Sequence, residues 1–256
     1  MTPSAIADQL RALGAAPGAV VQVHTSFRAV RPVDGGPAGL IEALLMTVGP
    51  DGTVVMPSWT GDDDHVFDPA TTPADFDLGV VAQTLWRRPD ARRGAHPFAW
   101  AAVGPRAKEI VDVPMTLPPH GPESAVGRVH DLGGQVLLLG VGHDADTSLH
   151  LAELKAGVPY RIPHHITVLE DGVPTRIDYG ENDSCCARFA LADDWLRAEG
   201  LQHEGTVGRA TARLFRSRDV VRLACAALKD DPLLFLHATD EGCAECDTAR
   251  ASVRVI

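Results

Sequence analysis

His150 and Glu153 stand three residues apart in the stretch GVGHDADTSLHLAE, residues 140–153. That spacing puts both side chains on one face of a helix. A carboxylate beside an imidazole orients the ring and favours its protonated form. The apolar run Gln135–Val141 leads into this stretch as a buried strand followed by a Gly-rich turn. The carboxyl end of such a strand is where open α/β sheets hold ligands. His150 is therefore a candidate general base, although a His–Glu pair on a solvated helix face has the same spacing.

Other polar groups gather in short stretches. Glu181-Asn182-Asp183 follows a strand end at Tyr179-Gly180, where Glu181 and Asp183 are placed to meet ligand ammonium groups or to orient His150. The alternative is a turn in which Asp183 or Ser184 caps the next helix. Asp62-Asp63-Asp64 concentrates negative charge on a loop but lacks the spacing of a calcium loop. His24 to Pro37 leaves a strand through small, hydroxyl and Gly residues before a helix at about Leu40. Backbone N–H groups at such a helix start can hold a phosphate, and Arg28, Arg31, Arg92 and Arg93 add positive charge. The chain has neither a Gly-rich dinucleotide fingerprint nor a P-loop, and neither a serine-hydrolase elbow nor an H-E-x-x-H site.

Five cysteines are present: Cys185, Cys186, Cys225, Cys243 and Cys246. Cys243-Ala-Glu-Cys246 is a C-x-x-C, and Cys185-Cys186 forms a distant second pair. Without a secretory leader such a set points to metal more than to disulfides. The expected cluster is Cys185, Cys186, Cys243 and Cys246 around a tetrahedral zinc, with a nearby His or an Asp as alternative to Cys185. A redox pair and free buried thiols stay open as readings. Cys225 lies in a helical pattern and reads as core.

The elements that must position these groups follow from periodicity. Helices are predicted over Ser4–Leu13, Leu40–Val48, Val80–Arg87, Arg106–Val111, Ser148–Ala156, Arg188–Glu199, Val207–Leu214 and Ser217–Leu228. Strands are predicted over Ala19–Val23, Thr53–Met56, Phe98–Val103 and Gln135–Val141. Ile166–Leu169 and Thr175–Tyr179 flank Glu-Asp-Gly as a hairpin, and the tail from His237 reads as strand-like. Strands alternating with helices give an α/β or mixed α+β class, and no composition shift divides residues 1–256. The Pro- and Asp-rich stretch 57–75 reads as a long functional loop.

Composition narrows the function. The 256 residues are 45% hydrophobic and 22% charged, with 23 basic against 34 acidic side chains, a net charge of −11. That balance argues against nucleic acid, whose binders need a basic footprint, and suits a cationic ligand. No apolar run approaches the ~20 residues that span a bilayer, and no leader pattern opens the chain, so the cytoplasm is expected. From these residues alone a non-catalytic polycation-binding protein and a zinc-dependent hydrolase both stay in play.

The segments HTSFRAVRPVDGGPAGLIEAL, MPSW, AHPFAWAAVGP and GQVLLLGVGHDADTSLHLAE, in that order, resemble the aminoglycoside N3-acetyltransferases, the antibiotic N-acetyltransferase family. ENDSCCARFALADDWL and FLHATDEGCAECDTAR resemble its apramycin- and gentamicin-acetylating subgroup. The resemblance implies a single mixed α/β domain over 1–256, with a central mixed sheet flanked by helices. It implies direct transfer of acetyl from acetyl-CoA to the 3-amino group of the 2-deoxystreptamine ring. It casts His150 as general base with Glu153 as orienter and Glu181 beside them. It places Asp63, Asp64, Glu181, Asp183 and Trp59 on the drug. It lays CoA along Thr25, Ser26, Arg28, Ala29, Val30, Arg31 and Val33, with Arg93 and His96 nearby. The chain has Arg93-Gly-Ala-His96-Pro where the family often has Arg-Ser-x-His-Pro, which removes a serine hydroxyl near CoA. The implied partners are an aminoglycoside and acetyl-CoA, with neither nucleic acid nor membrane, and an oligomer is left open. Zinc is implied for the subgroup rather than the family.

Overall fold

The most apolar runs of the sequence form the middle of a seven-stranded sheet. The computed structural model describes residues 1–253. The strands of this sheet are β1 (Val20–Thr25), β2 (Thr53–Pro57), β3 (Arg92–Arg93), β4 (Trp100–Val103), β5 (Gln135–Leu139), β8 (His203–Val207) and β9 (Ala210–Arg216); β6 (Ile162–Glu170) and β7 (Val173–Glu181) form a separate hairpin. The sheet order is β3-β4-β2-β1-β5-β9-β8. β1 runs parallel to β2 and β5, and the outer pairings are antiparallel. Parallel strands buried on both faces read as continuous apolar runs, which is why β1, β2 and β5 were legible.

Alternate side chains supply two cores. On β5, Leu137 and Leu139 face one layer while Val136 and Leu138 face the other, as the period of two requires. The first layer is α1 (Pro3–Leu13), α2 (Phe27–Val30), α3 (Gly36–Val48) and α4 (Gly79–Trp86). The second holds α5 (Ala107–Val111), α6 (Ala125–Asp131), α7 (Ser148–Ala156), α8 (Leu191–Ala198), α9 (Ser217–Asp230) and α10 (Ala244–Ser252). This is the mixed α/β architecture that the sequence implied. Among the described residues no helix is long and apolar enough to cross a membrane.

Two expectations fail. Val207–Leu214 is the turn and strand of the β8–β9 hairpin rather than a helix. Val207, Ala210 and Leu214 fit a helical stripe, but Ala210, Ala212 and Leu214 also alternate, and β9 finds its partner in the buried β5. Gly208 supplies the left-handed turn residue, with φ 63°. The tail is helix α10 rather than strand, because Cys246 and Ala249, three apart, are buried together on one helix face. Residues 254–256 of that expected strand lie outside the described residues.

The parallel strands end on one edge, and the segments leaving them pack closely. At Gly140, φ is 74° and an added Cβ would stand 2.6 Å from the Ala29 side chain. Gly157 has a similar φ, 71°, but open space around it. Gly140→Ala should therefore cost ~1–3 kcal/mol, clearly more than Gly157→Ala. Urea unfolding midpoints check this, and equal losses would mean that the turn over Ala29 is not tightly packed.

Candidate active site

The carboxyl ends of β1, β2 and β5 open on a cavity of about 300 Å³. Thr25, Trp59, His120, Asp146 and His150 are among its lining residues. Beneath it, buried Gln22 bonds His24 at 3.0 Å and donates to the Ser148 hydroxyl at 3.4 Å.

Helix α7 carries the reactive pair. His150 Nδ1 donates to Glu153 Oε2 at 2.9 Å. A carboxylate only accepts, so this bond leaves the Nε2 lone pair free to take a proton. Glu153 is 1% exposed, and its second oxygen accepts from the Tyr160 hydroxyl. Burial works against charge on His150, but the Cys186 sulfur and the Glu153 carboxylate outweigh it and raise the imidazole well above the usual histidine range. The ring stacks on His120 and meets Phe189 edge-on. Burial holds neighbouring His24 and His120 down at about 4 and about 3, so both stay neutral.

The predicted acidic residues gather about the β6–β7 hairpin, whereas the carboxylates that line the cavity are Asp75, Asp77, Asp144 and Asp146. Glu181 shares a crevice with His150, Pro119 and Leu154, and accepts from the Tyr179 hydroxyl at 3.0 Å. Burial raises the Glu181 carboxyl, against the opposing pull of His150. The orienter of His150 is thus Glu153, while Glu181 faces it across the crevice. Asp183 bonds His164 at 3.0 Å, and Asp64 bonds His165 at 2.8 Å. The latter contact joins the loop 57–75 to the β6–β7 hairpin. Asp63 lies between these pairs, its carboxyl raised by burial and held back by His165 and His164.

The segment expected to hold CoA lies beside the cavity. Thr25 lines it, and its Oγ1 is buried with no hydrogen-bond partner among the described residues. The Ser26 amide donates to Leu139 O at 3.0 Å, and Val30 O accepts from the Arg209 amide at 3.2 Å. Val30 and Val33 are buried, whereas Arg28 and Arg31 are exposed and Ala29 is half-buried. Arg93 and His96 lie elsewhere. Arg93 stacks between Trp86 and Phe67 and donates to Ser58 O and Thr72 O, both at 2.6 Å. Burial lowers its guanidinium to about 10. It pins the loop 57–75 from inside, which leaves it unsuited to meet a phosphate. His96 lines a small separate cavity with Phe98 and Trp100 and is lowered by burial.

The cysteines divide differently from expectation. Cys185, His237, Cys243 and Cys246 bring four donor atoms within 4.8 Å of one another. Cys185 Sγ lies 3.3 Å from His237 Nδ1 and 3.6 Å from Cys246 Sγ. Cys186 does not join them; its Sγ lies 3.6 Å from His150 Nε2. Adjacent residues in a turn point apart, and Cys186 is itself left-handed, with φ 57°. The H-x5-C-x2-C spacing of His237 with Cys243 and Cys246 is the signal that could have named the imidazole. Tyr160, His24 and His120 carried no such signal, since burial against α7 alone recruits them.

Comparison with known proteins gives a consistent picture. The sequence profile of the family described as Aminoglycoside 3-N-acetyltransferase matches residues 22–229. Aminoglycoside N(3)-acetyltransferase IV from a Salmonella species is 61% identical over 91% of this chain and 90% of its own length. Histidine-to-alanine mutants of aminoglycoside acetyltransferase AAC(3)-IVa superpose in crystals with a gentamicin (TM-score 0.97, 59% identity, covering 98% and 97% of the two chains) and with apramycin (0.91, 56%, 96% and 98%). AAC-IIIb, in a binary structure with CoASH, superposes with a TM-score of 0.82 at 27% identity, covering 90% and 97%.

A base must be unprotonated to work, so turnover should fall as pH drops through the raised value of His150. Glu153→Gln removes a group that raises it. The acid limb of kcat should then move to lower pH while kcat itself falls. His150→Ala should lose ~10²–10⁴-fold in kcat with the fold retained. pH–rate profiles at saturating acceptor check both, and an unmoved acid limb in Glu153→Gln would break the link between the two residues.

Proposed function

This chain belongs to the aminoglycoside 3-N-acetyltransferase family, and we propose from that membership that it moves the acetyl group of acetyl-CoA onto the 3-amino group of a 2-deoxystreptamine aminoglycoside. The acceptors are apramycin, gentamicin and tobramycin, and the physiological result is resistance. The observation that carries the reading is the His150–Glu153 pair, its imidazole lining a cavity that also carries Asp75, Asp77, Asp144 and Asp146.

Transfer is direct, within a ternary complex. Glu153 fixes the His150 tautomer, and Nε2 takes the proton that the 3-amino group loses as nitrogen attacks the thioester carbonyl. Holding both substrates in one cleft makes the encounter effectively unimolecular. Asp63, Asp64, Glu181 and Asp183 attract the polycation, and Trp59 supplies an apolar wall for a sugar ring. Acetyl-CoA runs along Thr25, Ser26 and residues 28–31 to Val33, with exposed Arg28 and Arg31 available to phosphates. The chain works as one domain, because both core layers and the hairpin contribute to the site. Acetyl-CoA as donor supports the cytoplasm as its compartment.

Cys185, His237, Cys243 and Cys246 would hold a zinc ion. Three thiols and an imidazole are a donor set that zinc takes, and four protein ligands close its coordination, as in structural sites. A bound ion would tie the segment after β7 to α10 and leave the chemistry to His150.

Thiol release from acetyl-CoA should accelerate with apramycin, gentamicin and tobramycin and stay at background with spermidine. A folded protein silent toward every aminoglycoside would sink the reading. Metal analysis should find about one zinc per chain. That ion should be lost in His237→Ala and Cys243→Ala and kept in Cys186→Ala, and chelation should lower Tm. Zinc loss in Cys186→Ala would restore the four-cysteine set.

A further inference from the structure

Two thiols stand outside the four-donor cluster: Cys225, which lies against Ala152 O, and Cys186. The Cys186 Sγ lies 3.6 Å from His150 Nε2, and the other nitrogen of that ring donates to Glu153 at 2.9 Å. Thiol, imidazole and carboxylate therefore form a continuous chain, the arrangement that activates a cysteine nucleophile through a base oriented by a third group. Its parts are firmly held. Glu153 is buried and also bonded by Tyr160, Phe189 meets the His150 ring edge-on, and Ser184 O stands 3.4 Å from the sulfur. His150 in turn lines the 300 Å³ cavity at the strand ends.

The position of the sulfur matters because of which nitrogen it faces. Nε2 is the atom that receives the proton of the attacking amine. An amine within hydrogen-bond reach of Nε2 and poised on the acetyl carbonyl occupies nearly the same place as the thiol. One base thus serves two nucleophiles, and whichever is present can meet the thioester.

We propose that Cys186 is a second acetyl acceptor, which makes the protein an acetyl-CoA thioesterase whenever the aminoglycoside site is empty. This inference rests on the acetyl-CoA reading given above; transfer to an amine remains direct. In the first step the Cys186 thiol gives its proton to His150 Nε2 and the sulfur attacks the thioester carbonyl. The new carbon–sulfur bond forms as the bond to CoA breaks, and the departing CoA sulfur takes the proton from His150. In the second step His150 Nε2 takes a proton from water, whose oxygen attacks the acetyl-cysteine. The bond to Cys186 breaks, its sulfur recovers the proton from His150, and acetic acid leaves and ionises. The sum is acetyl-CoA plus water giving acetate and CoA, with no redox change.

The test uses the protein as purified, with acetyl-CoA and no aminoglycoside. CoA release is followed with time, and samples quenched in acid are mapped by peptide mass spectrometry. The expected result is acetyl on Cys186, CoA release beyond one equivalent per chain, and a loss on the order of tenfold or more in that release in Cys186→Ala. Release in Cys186→Ala equal to that of the unaltered protein overturns the proposal. So does an unaltered protein that releases no CoA and carries no acetyl on Cys186, a result that needs no variant to fold. The same preparation is assayed with apramycin. If it acetylates apramycin, either negative result counts against Cys186 alone; if it acetylates no aminoglycoside, the underlying reading falls first.

Discussion

A carboxylate withdrawn from water governs this site. Glu153 is 1% exposed, and an isolated buried charge is too costly to persist without partners. The fold meets that demand twice, with the Tyr160 hydroxyl on one oxygen and His150 Nδ1 on the other. The two bonds belong to different parts of the chain. His150 lies one turn away on the same helix, whereas Tyr160 lies beyond the helix end, where the chain turns toward the hairpin. Satisfying one charge therefore fixes the imidazole tautomer, anchors the start of β6 against α7 and sets which nitrogen faces the cleft. Asn182 adds to the anchor by donating to Tyr160 O at 2.9 Å.

The acidic surplus acquires a location once the fold is known. A net charge of −11 spread evenly would only keep a protein soluble. Here Asp64 and Asp183 stand on the loop and hairpin that face each other, each against a histidine. The two histidine contacts hold these carboxylates in place. Arg93 serves the same surface from below. A half-buried cation held among carbonyls and aromatic faces keeps the loop 57–75 seated.

The Cys185-Cys186 pair shows how finely backbone conformation apportions chemistry. One sulfur joins His237, Cys243 and Cys246, and the next reaches His150. The left-handed φ of Cys186 turns successive side chains to different neighbours. The helix that carries Cys246 and the helix that carries His150 are thereby connected through two consecutive residues.

Much was legible from the chain alone. β1, β2 and β5 declared themselves by apolar runs, α7 by its position after the longest of them, and the hairpin by Glu-Asp-Gly, because burial on both faces and turn chemistry leave local marks. His150 and Glu153 could be paired for the same reason: three residues on a helix is a local distance. The β8–β9 hairpin was misread because alanines fit both periods and only the neighbouring β5 could choose between them. Which cysteine meets a metal, that His237 joins it, that Arg93 holds a loop and that Tyr160 completes the carboxylate are contacts between residues far apart in sequence. The amino-acid order determined the elements and the local catalytic pair; the tertiary structure alone decided the partners, because a buried polar group takes whatever donor the packing brings within reach.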